Sequence, residues 1–319
     1  MLGFLRKIFY LDLNHSEERI KIILFGIKFH IVKLKYQLMR KKSPYYYYKK
    51  NNIDITTLPP ATGQLRTLQL ANLALLKEFD IICKQNNIHY WLDFGTLIGA
   101  LRHKGFIPWD DDIDLGIFRE DYNKIMDIIN NNTYNPNIRA YYKNTFIKIV
   151  HKKCDKIFLD LFPVDEYGEI ISQEEQLKES DRIKKLRRKT NEKIKGNKLK
   201  MSDEDNLYFR AQIAKLIRTE ILVNKLPQDK TQMMYVWGMD FGHGWKNWFT
   251  AYDVYFPFKT IEFEGHVFPC MNKPEEYMTK VYGNYMEYPE KLRLGHNQYK
   301  DFSKEEQDAI EDLMKKLHK

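Results

Sequence analysis

Four carboxylates crowd into five positions at Asp110-Asp111-Asp112-Ile113-Asp114, the densest chemical feature of the chain. Charges that close repel one another unless a counter-charge sits among them. On an extended strand Asp112 and Asp114 share one face, while Ile113, Leu115 and Ile117 take the other. Two carboxylates backed by an apolar face suit a hard, oxygen-seeking cation, Mg2+ or Mn2+. The plainer reading is a solvated acidic turn, which the tight apolar flanks disfavour. Asp110 has the same parity and is a candidate catalytic carboxylate, but the Pro108-Trp109 bend leaves its direction open.

Upstream, Asp93-Phe94-Gly95-Thr96 puts a Gly-Thr step between a strand and a helix. Glycine lets the backbone approach a phosphate, and a helix N-terminus offers free N–H groups to it. Alone the step is weak, because such turns are common. Beside the carboxylates it becomes a phosphate-and-metal arrangement, with Gly95 and Thr96 as phosphate contacts. Arg102, His103 and Lys104 lie between the two elements and could neutralise transferring phosphates; ordinary surface cations are the equal alternative. Downstream, Asp160 is a lone carboxylate in the apolar run Ile157-Phe158-Leu159-Asp160-Leu161-Phe162, and such a group is costly to bury without a partner. A neighbouring strand could bring it to Asp112 and Asp114 as a third metal ligand or a general base. A hydrogen-bonded structural Asp is the alternative. Lys148, inside Phe146-Ile147-Lys148-Ile149-Val150, either faces the phosphates or marks a strand edge.

The elements that must carry these residues follow from patterning. Residues 64–85 read as a helix whose stripe Leu65, Leu68, Leu76, Phe79, Cys83 is interrupted by Asn72, with Asn86-Asn87 as its stop. A strand over 88–94, a short helix to about Arg102, a strand over 113–117 and a helix over 119–130 come next. Further strands fall at 137–142, 147–151 and 157–162. Residues 173–204 are a charged insertion of helical composition with a weak apolar face. The aromatic-rich stretch 207–290 reads as a mostly helical cap, and Ser303 with Glu306 forms a capping box before a final amphipathic helix. Residues 20–34 alternate around Gly26 as a hairpin, and residues 41–50 break pattern as a linker. Without strict βαβ alternation the class is α+β. The expected domains are a basic N-terminal module with its linker at 1–58 and a main domain at 59–319.

The chain has 319 residues, 43% hydrophobic and 14% aromatic, enough apolar material to exclude whole-chain disorder. Its 52 Lys and Arg exceed 43 Asp and Glu by nine, and residues 1–60 hold twelve basic against four acidic residues, so nearly all the excess sits at that end. A basic appendage on a near-neutral body suits an anionic surface such as lipid headgroups or an acidic polymer. A merely solvated basic face is the competing reading. Nucleic acid is disfavoured, since no zinc-finger spacing, helix-turn-helix or RNP-like strand accompanies the charge. Cys83, Cys154 and Cys270 are odd in number and far apart, which points to a reducing compartment. No apolar run approaches the roughly 20 residues that span a bilayer, and no secretory leader pattern is read. The expectation is a cytoplasmic protein, at most peripheral on the inner face of the cytoplasmic membrane.

The run from Trp91-Leu92-Asp93-Phe94-Gly95-Thr96-Leu97 through Arg102-His103-Lys104-Gly105-Phe106-Ile107-Pro108-Trp109 to Asp114 closely resembles the signature of LicD-type phosphotransferases. That family includes bacterial phosphocholine transferases and the fukutin-related ribitol-phosphate transferases. Phe158-Leu159-Asp160-Leu161-Phe162-Pro163 is similar to its second block. Phe258 to Gly265, with Tyr282-Gly283-Asn284-Tyr285, is similar to its C-terminal block. The resemblance implies a nucleotidyltransferase-like mixed sheet. It also implies metal-dependent transfer of a phospho-alcohol, such as phosphocholine or glycerol phosphate, from a CDP-linked donor to a hydroxyl of a surface glycan, releasing CMP. Two other enzyme classes remain: a true nucleotidyltransferase leaving pyrophosphate, and an Asp-x-Asp sugar-nucleotide glycosyltransferase. The last needs neither Asp160 nor the Gly-Thr step. A binding module on a dead scaffold is the non-enzyme reading, and the intact carboxylates oppose it.

Overall fold

The structure, a computed structural model, describes residues 9–14, 19–24, 27–32, 44–143, 146–195, 215, 219, 226–240, 249–290 and 301–317. The chain divides into two compact units, Met1–Leu58 with Tyr288–Leu294, and Pro59–Glu287 with Gly295–Lys319.

In the first unit, β1 (Phe9–Asn14), β2 (Arg19–Leu24) and β3 (Ile27–Val32) form an antiparallel sheet with β2 in the middle. The register pairs Ile22 with both Leu11 and Phe29. The hairpin expected over 20–34 is thus two strands of three, and its turn residue Gly26 lies outside the described residues. The expected linker is corrected in part: Pro44–Lys50 is helix α1, while 41–43 lie outside the described residues. Proline at the first helical position has no N–H to leave unpaired and a φ already suited to the helix. Tyr45 is buried and packs edge-on to Tyr48. Lys49 Nζ donates to the carbonyls of Pro289 and, at 2.7 Å, Glu290.

The second unit is built on β8 (Cys154–Glu169), whose sixteen residues are long enough to serve several partners. On one side it runs parallel to β5 (Ile113–Phe118), which pairs antiparallel with β4 (Tyr90–Leu92). On the other side its first half pairs with β7 (Phe146–His151) and its second half with β9 (Met233–Trp237), both antiparallel. β6 (Ile138–Lys143) and β10 (Phe249–Ala251) complete a seven-stranded mixed sheet. Ile113, Leu115 and Ile117 of β5, Leu159 and Leu161 of β8, and Ile147 and Ile149 of β7 expose no surface. Such burial contributes roughly 1.5–3 kcal/mol for each side chain.

Helix α2 (Gly63–Gln85) lies along β8, and the C-terminal helix α8 (Lys304–Leu317) lies on α2. The stripe residues Leu65, Leu68, Leu76, Phe79 and Cys83 are all buried, and Asn86 and Asn87 end the helix as read from sequence. The capping box at α8 is present: Ser303 N–H donates to Glu306 at 2.8 Å, and Glu306 N–H to Ser303 Oγ at 3.3 Å. Helix α3 (Phe94–His103) follows β4, and α4 (Arg119–Asn130) follows β5. Helix α5 (Gln173–Lys195) is not wholly exposed. Ile183 and Leu186 pack on Tyr167, Met234, Val236 and Phe249; residues 196–204 of the expected insertion lie outside the described residues.

The α+β class and mixed sheet are as expected, with one regional correction. The stretch 207–290 is not mostly helical where it is described. It supplies β9 and β10 to the sheet, a short helix α6 (Tyr252–Tyr255), the hairpin β11 (Lys259–Phe263) and β12 (His266–Cys270), and α7 (Pro274–Tyr282). Glu264 and Gly265, both with positive φ, form the two-residue hairpin turn, the geometry whose twist matches the flanking strands.

Candidate active site

Strand pairing sets a row of ionisable groups across the sheet. Asp114 of β5 lies opposite Asp160 of β8, and Asp160 lies opposite Lys148 of β7. Residues directly opposite share a face, so two carboxylates and one ammonium fall on one line perpendicular to the strands. Asp93, just past β4, extends the line, because its N–H donates to the Asp114 carbonyl at 3.0 Å. Lys148 Nζ is 2.8 Å from Asp160 Oδ1, with both side chains buried, and lies 3.0 Å from the centre of the Phe158 ring. Burial pulls the Lys148 ammonium below its usual range, while Asp160 and then Asp112 oppose that fall.

Asp112, one residue before β5, joins the row. An oxygen of each of Asp112, Asp114 and Asp160 lies within 4.8 Å of the others. Asp110, Asp111 and Asp112 form a second set at the same spacing. All-oxygen donors from three carboxylates are the chemistry that Mg2+ and Mn2+ prefer over softer, nitrogen- or sulfur-seeking ions. The residues fit such an ion.

Helix α3 brings up the other partners. A Cβ on Gly95 would lie 2.8 Å from Asp110 Oδ2, so the Asp110 carboxylate rests against the helix start, and glycine is what leaves it room. An anion is favoured there by the helix dipole. Thr96 Oγ1 accepts the Asp114 N–H at 2.8 Å, tying α3 to the carboxylate-bearing strand and leaving the hydroxyl proton for another acceptor.

The three basic residues at the far end of α3 differ from one another. Arg102 lies 6.0 Å from the centre of the Trp109 ring and donates to the Tyr285 carbonyl. Its Nε–H donates to His103 Nε2 at 2.9 Å. Burial first and the Arg102 charge second push His103 down to about 4, so the ring is neutral near pH 7 and orients Arg102. Lys104 is exposed in a left-handed C-cap, and its carbonyl accepts the Glu264 N–H. The structure therefore gathers Gly95, Thr96, Asp110, Asp112, Asp114, Asp160 and Lys148. It sets Arg102 beside Trp109 and leaves Lys104 pointing to solvent at the opposite end of the helix.

Sequence reasoning passed over Asp93. It is fully buried, caps α3 through the Phe94 N–H at 2.8 Å, and accepts Trp91 Nε1–H at 3.1 Å. Burial pushes its carboxyl up to about 7 against those bonds. Asp-Phe-Gly at a strand-to-helix switch was the available signal, as an N-cap. Tyr282 was noted only within its motif. The residue is 41% exposed, and burial followed by the charges of Asp114, Asp93 and Asp110 raises its phenol above its usual range. A third omission is a buried ion triad. Arg119 donates to Asp165 at 2.8 and 3.0 Å and to Asp240, and Asp165 also accepts the Met239 N–H at 2.8 Å. It ties the start of α4 to β8 and to the segment after β9.

The sequence family described as LicD/FKTN/FKRP, nucleotidyltransferase domain, matches residues 87–181. The chain is similar to the lipopolysaccharide cholinephosphotransferase LicD of Haemophilus influenzae, 31% identical over 252 residues, which cover 70% of this chain and 92% of that protein. It is also similar to human ribitol 5-phosphate transferase FKRP, 59% identical over 34 residues, 11% of this chain and 7% of that protein. Mouse ribitol-5-phosphate transferase FKTN is 36% identical over 70 residues, 22% of this chain and 14% of that protein. Among the described residues no helix is long and apolar enough to cross a membrane. With a match that spans most of both chains and runs through the carboxylate row, the protein belongs to the LicD/FKTN/FKRP nucleotidyltransferase domain family and is a LicD-like phosphotransferase.

Proposed function

We propose that the protein transfers a phospho-alcohol, such as phosphocholine, glycerol phosphate or ribitol phosphate, from a CDP-linked donor to a hydroxyl of a cell-surface glycan. The observation that carries this reading is the meeting of Asp112, Asp114 and Asp160 within 4.8 Å, on a chain related to a lipopolysaccharide cholinephosphotransferase. The glycan oxygen attacks the phosphorus that bears the alcohol, the bond from that phosphorus to the CMP oxygen breaks, and CMP leaves with the electron pair.

Asp112, Asp114 and Asp160 would hold Mg2+ or Mn2+, which supplies positive charge to the donor diphosphate when bound. Lys148 pairs with Asp160 at 2.8 Å and adds a second cation to the row. Asp110 has no place in that ligand set and rests beside the N-terminus of α3; it is assigned as the base that takes the proton of the attacking hydroxyl. The Gly95 N–H and the Thr96 hydroxyl would donate to departing phosphate oxygens, and Arg102, oriented by neutral His103, steadies the Trp109 side of the loop.

Incubation with CDP-choline, CDP-glycerol and CDP-ribitol in the presence of a glycan acceptor should release CMP with at least one donor. Pyrophosphate formed from CTP and a phospho-alcohol, with no CMP from any of the three, would make the protein a nucleotidyltransferase instead.

A further inference from the structure

Helix α2 carries three polar side chains at Arg66, Gln69 and Asn72, three residues apart and so on one face; Gln69 and Asn72 hold the loop that bears the carboxylates directly, and Arg66 reaches it through Glu264. Arg66 holds Glu264 through two bonds of 2.9 and 2.6 Å, and Glu264 accepts the Phe106 N–H at 3.1 Å. Gln69 Nε2 donates to the Asp110 carbonyl at 2.8 Å. Asn72 Nδ2 donates to the Asp111 carbonyl at 2.7 Å, and Asn72 Oδ1 accepts the Phe158 N–H at 2.8 Å. Gln69 and Asn72 expose no surface.

The Asn72 contacts have a particular place in the sheet. The parallel ladder between β5 and β8 begins at Ile113 opposite Leu159. One step earlier, where the register would set Asp112 opposite Phe158, the Asp111 carbonyl and the Phe158 N–H are joined through the Asn72 amide, which stands where a further ladder bond would be. The two segments it bridges carry Asp112 on one side and Asp160 on the other, ligands from parts of the chain 48 positions apart. An asparagine within an apolar stripe, facing the core, is costly unless both its donor and acceptor are used. Here both are used, and both on the backbone beside the carboxylates.

We infer that Asn72 is a positioning residue: its amide sets the spacing of Asp112 from Asp160, and thereby the geometry of the cation site, while Gln69 sets the direction of Asp110. The inference rests on the metal reading of the three carboxylates. Mg2+ demands a near-octahedral shell at short distance, whereas Ca2+ accepts looser and more variable shells. Loosening the spacing should therefore penalise Mg2+ far more than Ca2+, a difference that general loss of stability would not produce.

The test is calorimetric titration of the purified full-length protein with Mg2+ and with Ca2+, without donor. Asn72→Ala should weaken Mg2+ binding by about 10–100-fold, the usual size of an outer-shell effect on a metal site, and Ca2+ binding by less than about threefold by the geometric argument above. Asn72→Ser is the milder variant if alanine does not fold. Leu76→Val, on the same helix with a fully buried side chain, is the control: it should lower the melting temperature and leave the Mg2+ to Ca2+ ratio unchanged. Equal Mg2+ affinity in wild type and the Asn72 variants, or an equal loss for both ions, would overturn the positioning role. Absence of Mg2+ binding by the wild type would instead overturn the metal reading beneath it.

Discussion

Lys148 and Asp160 stand directly opposite each other on antiparallel strands and form a buried ion pair of 2.8 Å beside two further carboxylates. Removing one partner of such a pair leaves an uncompensated buried charge and typically costs about 3–5 kcal/mol. Here the orphan would be Asp160, with Asp112 and Asp114 at its side. Lys148→Met should therefore lower thermal stability in EDTA, and added Mg2+ should restore more of it than it adds to the wild type. Differential scanning calorimetry with and without Mg2+ reads this; equal shifts in the two proteins would remove Lys148 from the charge balance of the site.

Wild-type turnover should stop in excess EDTA after bound metal is stripped, and return with Mg2+ or Mn2+. Asp114→Asn should abolish CMP release while the chain remains folded, because loss of one charge relieves repulsion within the cluster. Asp160→Asn should abolish it too, but with a lower melting temperature, because the buried Lys148 then loses its paired carboxylate. Circular dichroism alongside the CMP assay checks both halves. Wild-type rates in either folded variant would move the site elsewhere.

Asp110→Asn should separate chemistry from metal binding. As the general base its loss should cost roughly 10²–10⁴ in kcat, with Mg2+ affinity nearly unchanged and the low-pH limb of the rate profile removed. A large drop in Mg2+ affinity would place Asp110 among the metal ligands instead.

His103 predicts an acid sensitivity of known sign. Its folded value is about 4 against an ordinary 6.5, so between these the unfolded chain binds more protons than the folded one, and stability falls as pH drops through that window. After allowance for solvent screening the contribution is roughly 1–2 kcal/mol. His103→Gln should show a shallower loss between pH 6.5 and 4 in urea titrations. Identical slopes would mean that the ring protonates freely in the folded protein.

The basic end should attach the protein to anionic surfaces. Full-length protein should bind vesicles containing phosphatidylglycerol, and the binding should weaken as salt rises from 0.05 to about 0.5 M. Deleting residues 1–43 should reduce that binding. Unaltered binding after the deletion would assign the charge to solvation alone.

The carboxylate row was legible because period-two parity and a charge inside an apolar strand are local signals: Asp112, Asp114, Lys148 and Asp160 each carried one. The strand β9 was not legible. All five of its residues, Met233–Trp237, are buried, and a short continuous apolar run does not distinguish strand from helix. Helix α1 was missed because Tyr45-Tyr46-Tyr47-Tyr48 shows no periodicity to read. The charge of His103 could not be read either, since it depends on burial and on Arg102 holding its ring, and the duty of the Thr96 hydroxyl depends on which backbone N–H lies across from it. Asn72 was visible only as a flaw in a stripe; its use appears once Asp111 and Phe158 are brought to it.

The parallel pairing of Asp114 with Asp160 makes the site intolerant of frame errors in a way that single substitutions do not test. Side chains alternate faces along each strand, so a one-residue slip of β5 against β8 turns one whole set of residues over. An insertion between Ile113 and Phe118 would carry either Asp114 or the core-facing isoleucines to the wrong side, and no rotamer change could repair it. Loops between the strands can vary in length at little cost. Within β5, length is fixed to the residue, and a chain that mispairs there loses its carboxylate face and its hydrophobic core together.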